Sequence, residues 1–224
     1  MAAPVALGAM PSPLLLGIGG PLFLFLLALF LFCRPLILLG DGGTCRHFLT
    51  GIYILDNHAV PVTNYMSALE ANAPWVTHEL LCDLVFGIPF PFLGIGWVVL
   101  ISSIAIALAF AWSYQMARYR GAGLLASLLL LVFSVEACTI HWSARPHLFT
   151  YLLFLAAFNE CFVVSASLRR RCISLSVILF LWGNLHGSFA LAIMMIGMRA
   201  VGDFAEGVIA RASGNGAMNH AVAD

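Results

Sequence analysis

Long apolar runs recur along this chain, and they decide what it can fold into. Residues 14–39, 96–116, 122–140, 148–168, 172–185 and 188–201 form segments almost without charge. Runs of roughly 20 apolar residues match the hydrocarbon core of a bilayer. A soluble domain carries charge on roughly a quarter of its residues; here the share is 9%, against 62% hydrophobic residues. The alternation over about ten residues that marks a membrane β-barrel strand is missing, so the runs read as helices. The predicted fold is all-α and polytopic: about six transmembrane helices, with a large first outer loop that carries interfacial helices. Residues 1–13 read as a flexible start, 14–206 as a single transmembrane domain with its outer loop over 41–95, and 207–224 as a flexible cytoplasmic tail.

Breaks in the runs are legible as well. Gly19-Gly20-Pro21 and Arg34-Pro35 interrupt the first run. No basic stretch precedes it and no small-residue cleavage site follows, so the expectation is a retained first span and not a leader. Arginine excess marks the cytoplasmic side of a span. The Arg118/Arg120 and Arg169–Arg171 groups lie two spans apart and therefore share that side. The N-terminus then starts in the cytoplasm, and the 41–95 loop, the 141–147 turn and the 183–187 turn fall outside. All the basic residues are arginines, and no basic tract suggests nucleic acid.

With those sides assigned, the chemistry concentrates. His47, His58, His78, His141, His147 and His186, six of the seven histidines, fall on the outer side. So do Asp41, Asp56, Glu70, Glu79, Asp83 and Arg145. Residues 44–55 suit a short helix whose apolar stripe is Phe48, Ile52 and Leu55, with Arg46, His47 and Thr50 off the stripe. Asn57 and Pro61 stop it. A second helix is expected from Thr77, as cap, to about Gly87, ended by Pro89 and Pro91. Cys45 and Cys82 share the loop and are one candidate disulfide.

Each candidate group has a chemical and a plain reading. Asp41, directly after the first span, is a candidate general base, or simply a helix cap. His78 and Cys82, one turn apart, have the spacing of a shared metal, but no further ligand pair accompanies them, so no metal site is assigned. Arg145-Pro146-His147 offers a cation and an imidazole to a lipid phosphate; the plain reading is an interfacial arginine beside Trp142 as membrane anchor. Asn184 and His186 end a short span, where polar groups are costly and tend to be functional, or bond between helices.

One set of motifs, taken together and in order, resembles a known family. Asp41-Gly-Gly-Thr-Cys-Arg-His47 is followed by Thr50-Gly51, Val60-Pro61-Val-Thr63, Pro74-Trp75-Val-Thr-His78-Glu79-Leu80, Ala144-Arg145-Pro146-His147-Leu-Phe149 and Trp182-Gly-Asn184-Leu-His186-Gly187. This is similar to the N-terminal half of multi-spanning bacterial membrane proteins related to GT-C-type glycosyltransferases. The resemblance implies an enzyme, or a truncated relative, that transfers a sugar from a polyprenyl-phosphate donor on the non-cytoplasmic face of the bacterial inner membrane. It implies Asp41 as the catalytic acidic residue, and His47 stands beside it as a second catalytic candidate. His78, Glu79, Arg145, His147, Asn184 and His186 are then the candidates for binding substrate, and a divalent cation is admitted as cofactor. In the family a second acid often follows two residues after the first, and an aromatic precedes the histidine; here these positions are Gly43 and Arg46. The competing expectation is a non-catalytic accessory subunit that packs, among membrane lipids, against partner membrane subunits.

Overall fold

A computed structural model describes residues 19–71, 73–163 and 167–212. The expected start at 1–13 and the last part of the expected tail, 213–224, lie outside the described residues. The described chain is helical, as expected, with no strand among the described residues beyond one isolated antiparallel bridge between Thr63 and Pro74. The helices are α1 (Gly19–Ala28), α2 (Pro35–Leu39), α3 (Gly43–Asn57), α4 (Leu80–Gly87), α5 (Phe90–Leu93), α6 (Ile95–Tyr119), α7 (Leu124–Ala137), α8 (His147–Phe158), α9 (Leu168–Leu185) and α10 (Ala190–Ala212).

Helix α6 is the axis of the molecule. It packs against α1, α2, α5, α7 and α8. Its buried face is largely small residues, among them Ser102, Ser103, Ala105, Ala107, Ala109 and Ala111, which let neighbouring backbones approach closely, as in membrane helix pairs. Ile95–Tyr119 and Gly187–Ala212 are long and apolar enough to cross a membrane, and the other apolar helices are shorter. The shortness has local causes. The first run breaks at Arg34 (φ −130°, ψ 21°), after a π turn over Leu29–Cys33, because Pro35 disfavours helical backbone at the residue before it. Helix α7, at 14 residues, is about 21 Å long, short of the roughly 30 Å hydrocarbon core.

Several expectations change once burial is visible. The buried face of α3 is Thr44, His47, Phe48, Thr50 and Gly51, not the Phe48-Ile52-Leu55 stripe. Its partner α4 explains this. A Cβ on Gly51 would sit 2.1 Å from the Asp83 carbonyl oxygen, and one on Gly87 would sit 2.4 Å from the Gly51 Cα. Two helices that touch backbone to backbone leave room only for small or mutually bonded side chains. Helix α4 begins at Leu80, with Glu79 in the cap position; Thr77 instead donates its hydroxyl to the Pro61 carbonyl at 3.3 Å. Arg169–Arg171 do not form a loop: they lie in the first turn of α9, where the Ser167 hydroxyl accepts from the Arg170 N–H. Helix α10 carries the chain past 207 to Ala212. Trp142 is no surface anchor but is buried edge-on against Phe30, with ring centroids 4.6 Å apart. Cys45 is exposed, Cys82 is buried, and neither is in a disulfide.

Candidate functional site

The chain folds so that separate segments deliver charged groups to one end of the helix bundle. The Ala144 N–H donates to the Leu38 carbonyl at 2.7 Å, which ties the 141–147 turn to α2. That tie sets Arg145 beside Asp41, 104 residues away in sequence, in a direct Nη2–Oδ1 ion pair. The same Asp41 oxygen accepts from the Gly43 N–H at 2.7 Å. The Gly43 bond, reinforced by Arg145, holds the Asp41 carboxyl below the usual carboxylate range. A low pKa weakens a carboxylate as a base. A Cβ at Gly43 would lie 2.6 Å from Arg145 Nη2, so a side chain there would displace the flexible end of Arg145 from Asp41. Gly43 thus leaves the opening through which Arg145 reaches Asp41.

The second group is buried between α3 and α4. Arg46 Nη2 donates to Glu79 Oε2 at 2.8 Å and approaches His47 Nε2 at 3.0 Å. A guanidinium has only donors, so His47 Nε2 is the accepting nitrogen and the ring proton is on Nδ1. That proton is donated to Asp83 Oδ1 at 2.6 Å. His47 is 2% exposed and Asp83 fully buried. Burial pushes the Asp83 carboxyl up, and its bond to His47 opposes the push. Asp83 Oδ2 has no hydrogen-bond partner, so the carboxylate is directed at His47 alone. Arg46 also sits over the Trp75 ring at 5.9 Å.

The third group lies at the start of α8 and the end of α9. His147 Nε2–H donates to the His141 carbonyl at 2.6 Å, and its ring is 6.3 Å from that of His186. The Ser188 N–H donates to His186 Nδ1 at 3.3 Å, which leaves the ring proton on Nε2. Behind His186, Trp182 Nε1–H donates to both Thr150 and Ser188 hydroxyls, at 3.2 and 3.1 Å. Burial lowers the pKa of both His147 and His186, so both are neutral imidazoles at neutral pH.

The three groups enclose a cleft of about 200 Å³ lined by Gly43, Arg46, His47, Glu79, Arg145, Pro146, His147 and His186. Of the residues expected to act, Asp41, His47, Glu79, Arg145, His147 and His186 are therefore brought together. His78 lies at the rim, 63% exposed and 3.6 Å from Glu79. Asn184 turns back on its own helix, donating to the Phe180 carbonyl. The spacing of His78 and Cys82 produces no pair, because α4 starts after His78 and buries Cys82. No group of three or more His, Cys, Asp or Glu side chains is set to hold a metal among the described residues. Asp83, Arg46 and Thr150 belong to the site but were not expected there. Asp83 had a visible signal, as the one acid within the apolar octet LLCDLVFG.

The arrangement can bind an anion through two guanidiniums and an imidazole N–H, and can accept a proton at His47 Nε2. Its volume is below the roughly 300–1,000 Å³ of sites that engulf a drug-sized ligand, so it fits a small group such as a phosphate. Comparison of the chain with protein-family models, with curated proteins and with solved structures gives no match.

Proposed function

We propose that this chain is a GT-C-like membrane glycosyltransferase, or a truncated relative of one, acting on a sugar carried by polyprenyl phosphate. The single observation that supports the reading most is the cleft itself: Arg46 and Arg145 face one small space with a histidine whose tautomer is fixed by a buried carboxylate. A lipid-linked sugar phosphate presents an anion at the leaving group and needs a base for the acceptor, and these are the two things the cleft offers.

In this reading the acceptor hydroxyl attacks the anomeric carbon. The bond from its oxygen to that carbon forms while the bond from carbon to the carrier phosphate breaks. The electron pair leaves with the phosphate, whose charge Arg145 and Arg46 hold by charge-assisted hydrogen bonds. The hydroxyl proton goes to His47 Nε2, which is exposed to it once the phosphate draws Arg46 aside. Asp83 positions the ring and stabilises the imidazolium. Asp41 serves as the clamp that orients Arg145, a role its low pKa suits better than that of base. His147 and His186 supply neutral contacts to phosphate or sugar, and Glu79 holds Arg46 through their ion pair. The membrane setting of the proposal is the bacterial inner membrane, with about six spans, a cytoplasmic N-terminus and the cleft outside.

The test uses the full chain in proteoliposomes with a radiolabelled polyprenyl-phosphate sugar. Expected results are release of the carrier phosphate by the native chain, loss of release in His47→Gln with carrier still bound, and loss of binding in Arg145→Ala. Full turnover in His47→Gln overturns the mechanism, and no carrier retention by the native chain overturns the function.

A second reading has its own observation. Helix α10 buries only Ala192 and Met195, while Val201, Phe204 and Ile209 are 64–73% exposed. A non-catalytic subunit would cover that face with a partner membrane protein. It predicts stable co-purification; a monodisperse lone chain counts against it.

A further inference from the structure

The end of the molecule opposite the cleft holds a second concavity, built from different chemistry. It lies between α8 and α10, has a volume of about 470 Å³, and is lined by Phe154, Phe158, Phe162, Leu191, Met194, Met195, Met198 and one charged residue, Arg120. The three phenyl rings follow one another along α8: Phe154 and Phe158 are stacked at 6.5 Å, and Phe158 and Phe162 are tilted at 5.2 Å. The methionines face them from α10. Flexible thioethers opposite a row of rings make a wall that adapts to an alkyl chain.

The charge at its end is out of the ordinary. A π turn over Asn159–Val163 closes α8. The Cys161 carbonyl there accepts from Arg199 Nη1 at 3.1 Å, and the Phe162 carbonyl accepts from Arg120 Nη2 at 2.8 Å. Arg199 is neutralised by Asp203 at 2.8 Å. Among the described residues no carboxylate forms an ion pair with Arg120. Arg118, in the last turn of α6, likewise forms no ion pair among the described residues and donates to the Ala122 carbonyl. An apolar groove that ends on a guanidinium with no ion-paired carboxylate among the described residues is complementary to an alkyl chain that carries an anionic phosphate.

We propose that this groove binds an anionic phospholipid from the leaflet at the arginine end, with an acyl chain along Phe154, Phe158 and Phe162 and the phosphate on Arg120. The site is independent of the cleft and of any transfer reaction there. It pins α10, which has few protein contacts of its own, to α8 through a lipid.

The experiment is native mass spectrometry of the full chain in mild detergent, titrated with dioleoyl phosphatidylglycerol or dioleoyl phosphatidylcholine. The two probes share acyl chains and differ in net charge. The native chain should retain the anionic lipid about fivefold more than the zwitterionic one, the effect expected of a basic residue at an anionic surface. Arg120→Gln, which removes the charge and keeps a polar side chain, should erase that preference. Arg120→Lys should restore it in part. Filling the groove with Met194→Phe and Met198→Phe should reduce retention of both lipids. Equal retention of the two lipids by the native chain overturns the proposal. So does an undiminished preference in Arg120→Gln, or a preference lost in Arg118→Gln and kept in Arg120→Gln.

Discussion

Helices α3 and α10 are both embedded in a strongly apolar chain, yet they are held in opposite ways. Helix α3 is pressed so closely onto α4 that glycine meets glycine, and it buries polar side chains: His47, Thr44 and Thr50 are each at most 2% exposed. Helix α10 is longer and more apolar on its surface, and nearly all of it is uncovered. Protein packs α3; the surroundings must pack α10. Chemistry that depends on sub-ångström placement belongs on the first kind of element, where neighbours lock each rotamer. A helix of the second kind is suited to lipids or partners. Substituting one glycine on α4 where it meets α3 and one on α10 probes that difference most directly.

The largest effect is expected at Gly87. In Gly87→Ala the added carbon would meet the Gly51 backbone at 2.4 Å, and backbone cannot rotate away. The helices must separate, at a cost of about 1–3 kcal/mol, and the His47–Asp83 bond separates with them. A denaturation midpoint that drops sharply, together with loss of carrier binding, is the expected outcome. An unchanged midpoint would mean that the close crossing does not hold α3.

Next in size is Asp83→Asn. Burial makes the Asp83 charge costly, while its bond to His47 repays part of that cost. The two oppose each other in stability, so the folded state should change little. Catalysis has no such compensation, because an amide stabilises an imidazolium far less than a carboxylate does. Turnover in the proteoliposome assay should fall roughly a hundredfold, with carrier retention intact. A loss of retention that matches the loss of turnover would mark Asp83 as merely structural.

A smaller effect is expected from pH. His147 and His186 have pKa values below the ordinary 6.5, each chiefly through burial. The unfolded chain therefore binds more protons than the folded one as pH falls through 6.5. The stability these neutral rings carry is complete above that pH and is lost toward their lower folded values. The groups that face them are His141 and Arg145, which oppose protonation of His147, and Glu79, which favours it at His186 against His78 and His47. The unfolding midpoint should drop between pH 7 and 5, and His147→Gln with His186→Gln should flatten the drop. A slope unaltered by the double variant would locate the titration elsewhere.

Sequence reasoning performs unevenly across these same regions, for a physical reason. Hydrophobic periodicity identified a helical chain, because that follows from composition along the chain. It misjudged α3, where it put His47 and Thr50 off the buried face. A stripe of apolar residues is the signature of packing by side-chain bulk, and α3 packs by the absence of bulk at Gly51 and Gly87. It placed a cap at Thr77, although that hydroxyl is spent on Pro61. It grouped Asn184 with His186 by proximity in sequence, whereas the end of α9 directs one into the cleft and turns the other onto its own helix. Contacts such as Asp41 to Arg145 depend on how α2 receives the 141–147 turn, which no local pattern encodes.

The smallest expected effect is the most informative about α10. Gly197 lies at mid-helix with nothing within 4 Å of where a Cβ would be. Gly197→Ala meets no clash and gains helix propensity, so it should stabilise the chain by up to about 1 kcal/mol, opposite in sign to Gly87→Ala. Measured on the lone chain in detergent, that gain would confirm that α10 has no close protein neighbour there. The same variant measured in the native membrane is then a sensitive reporter. If the gain persists, lipid covers α10. If it turns into a loss, a second helix lies close enough to feel one methyl group, and the face belongs to a partner subunit.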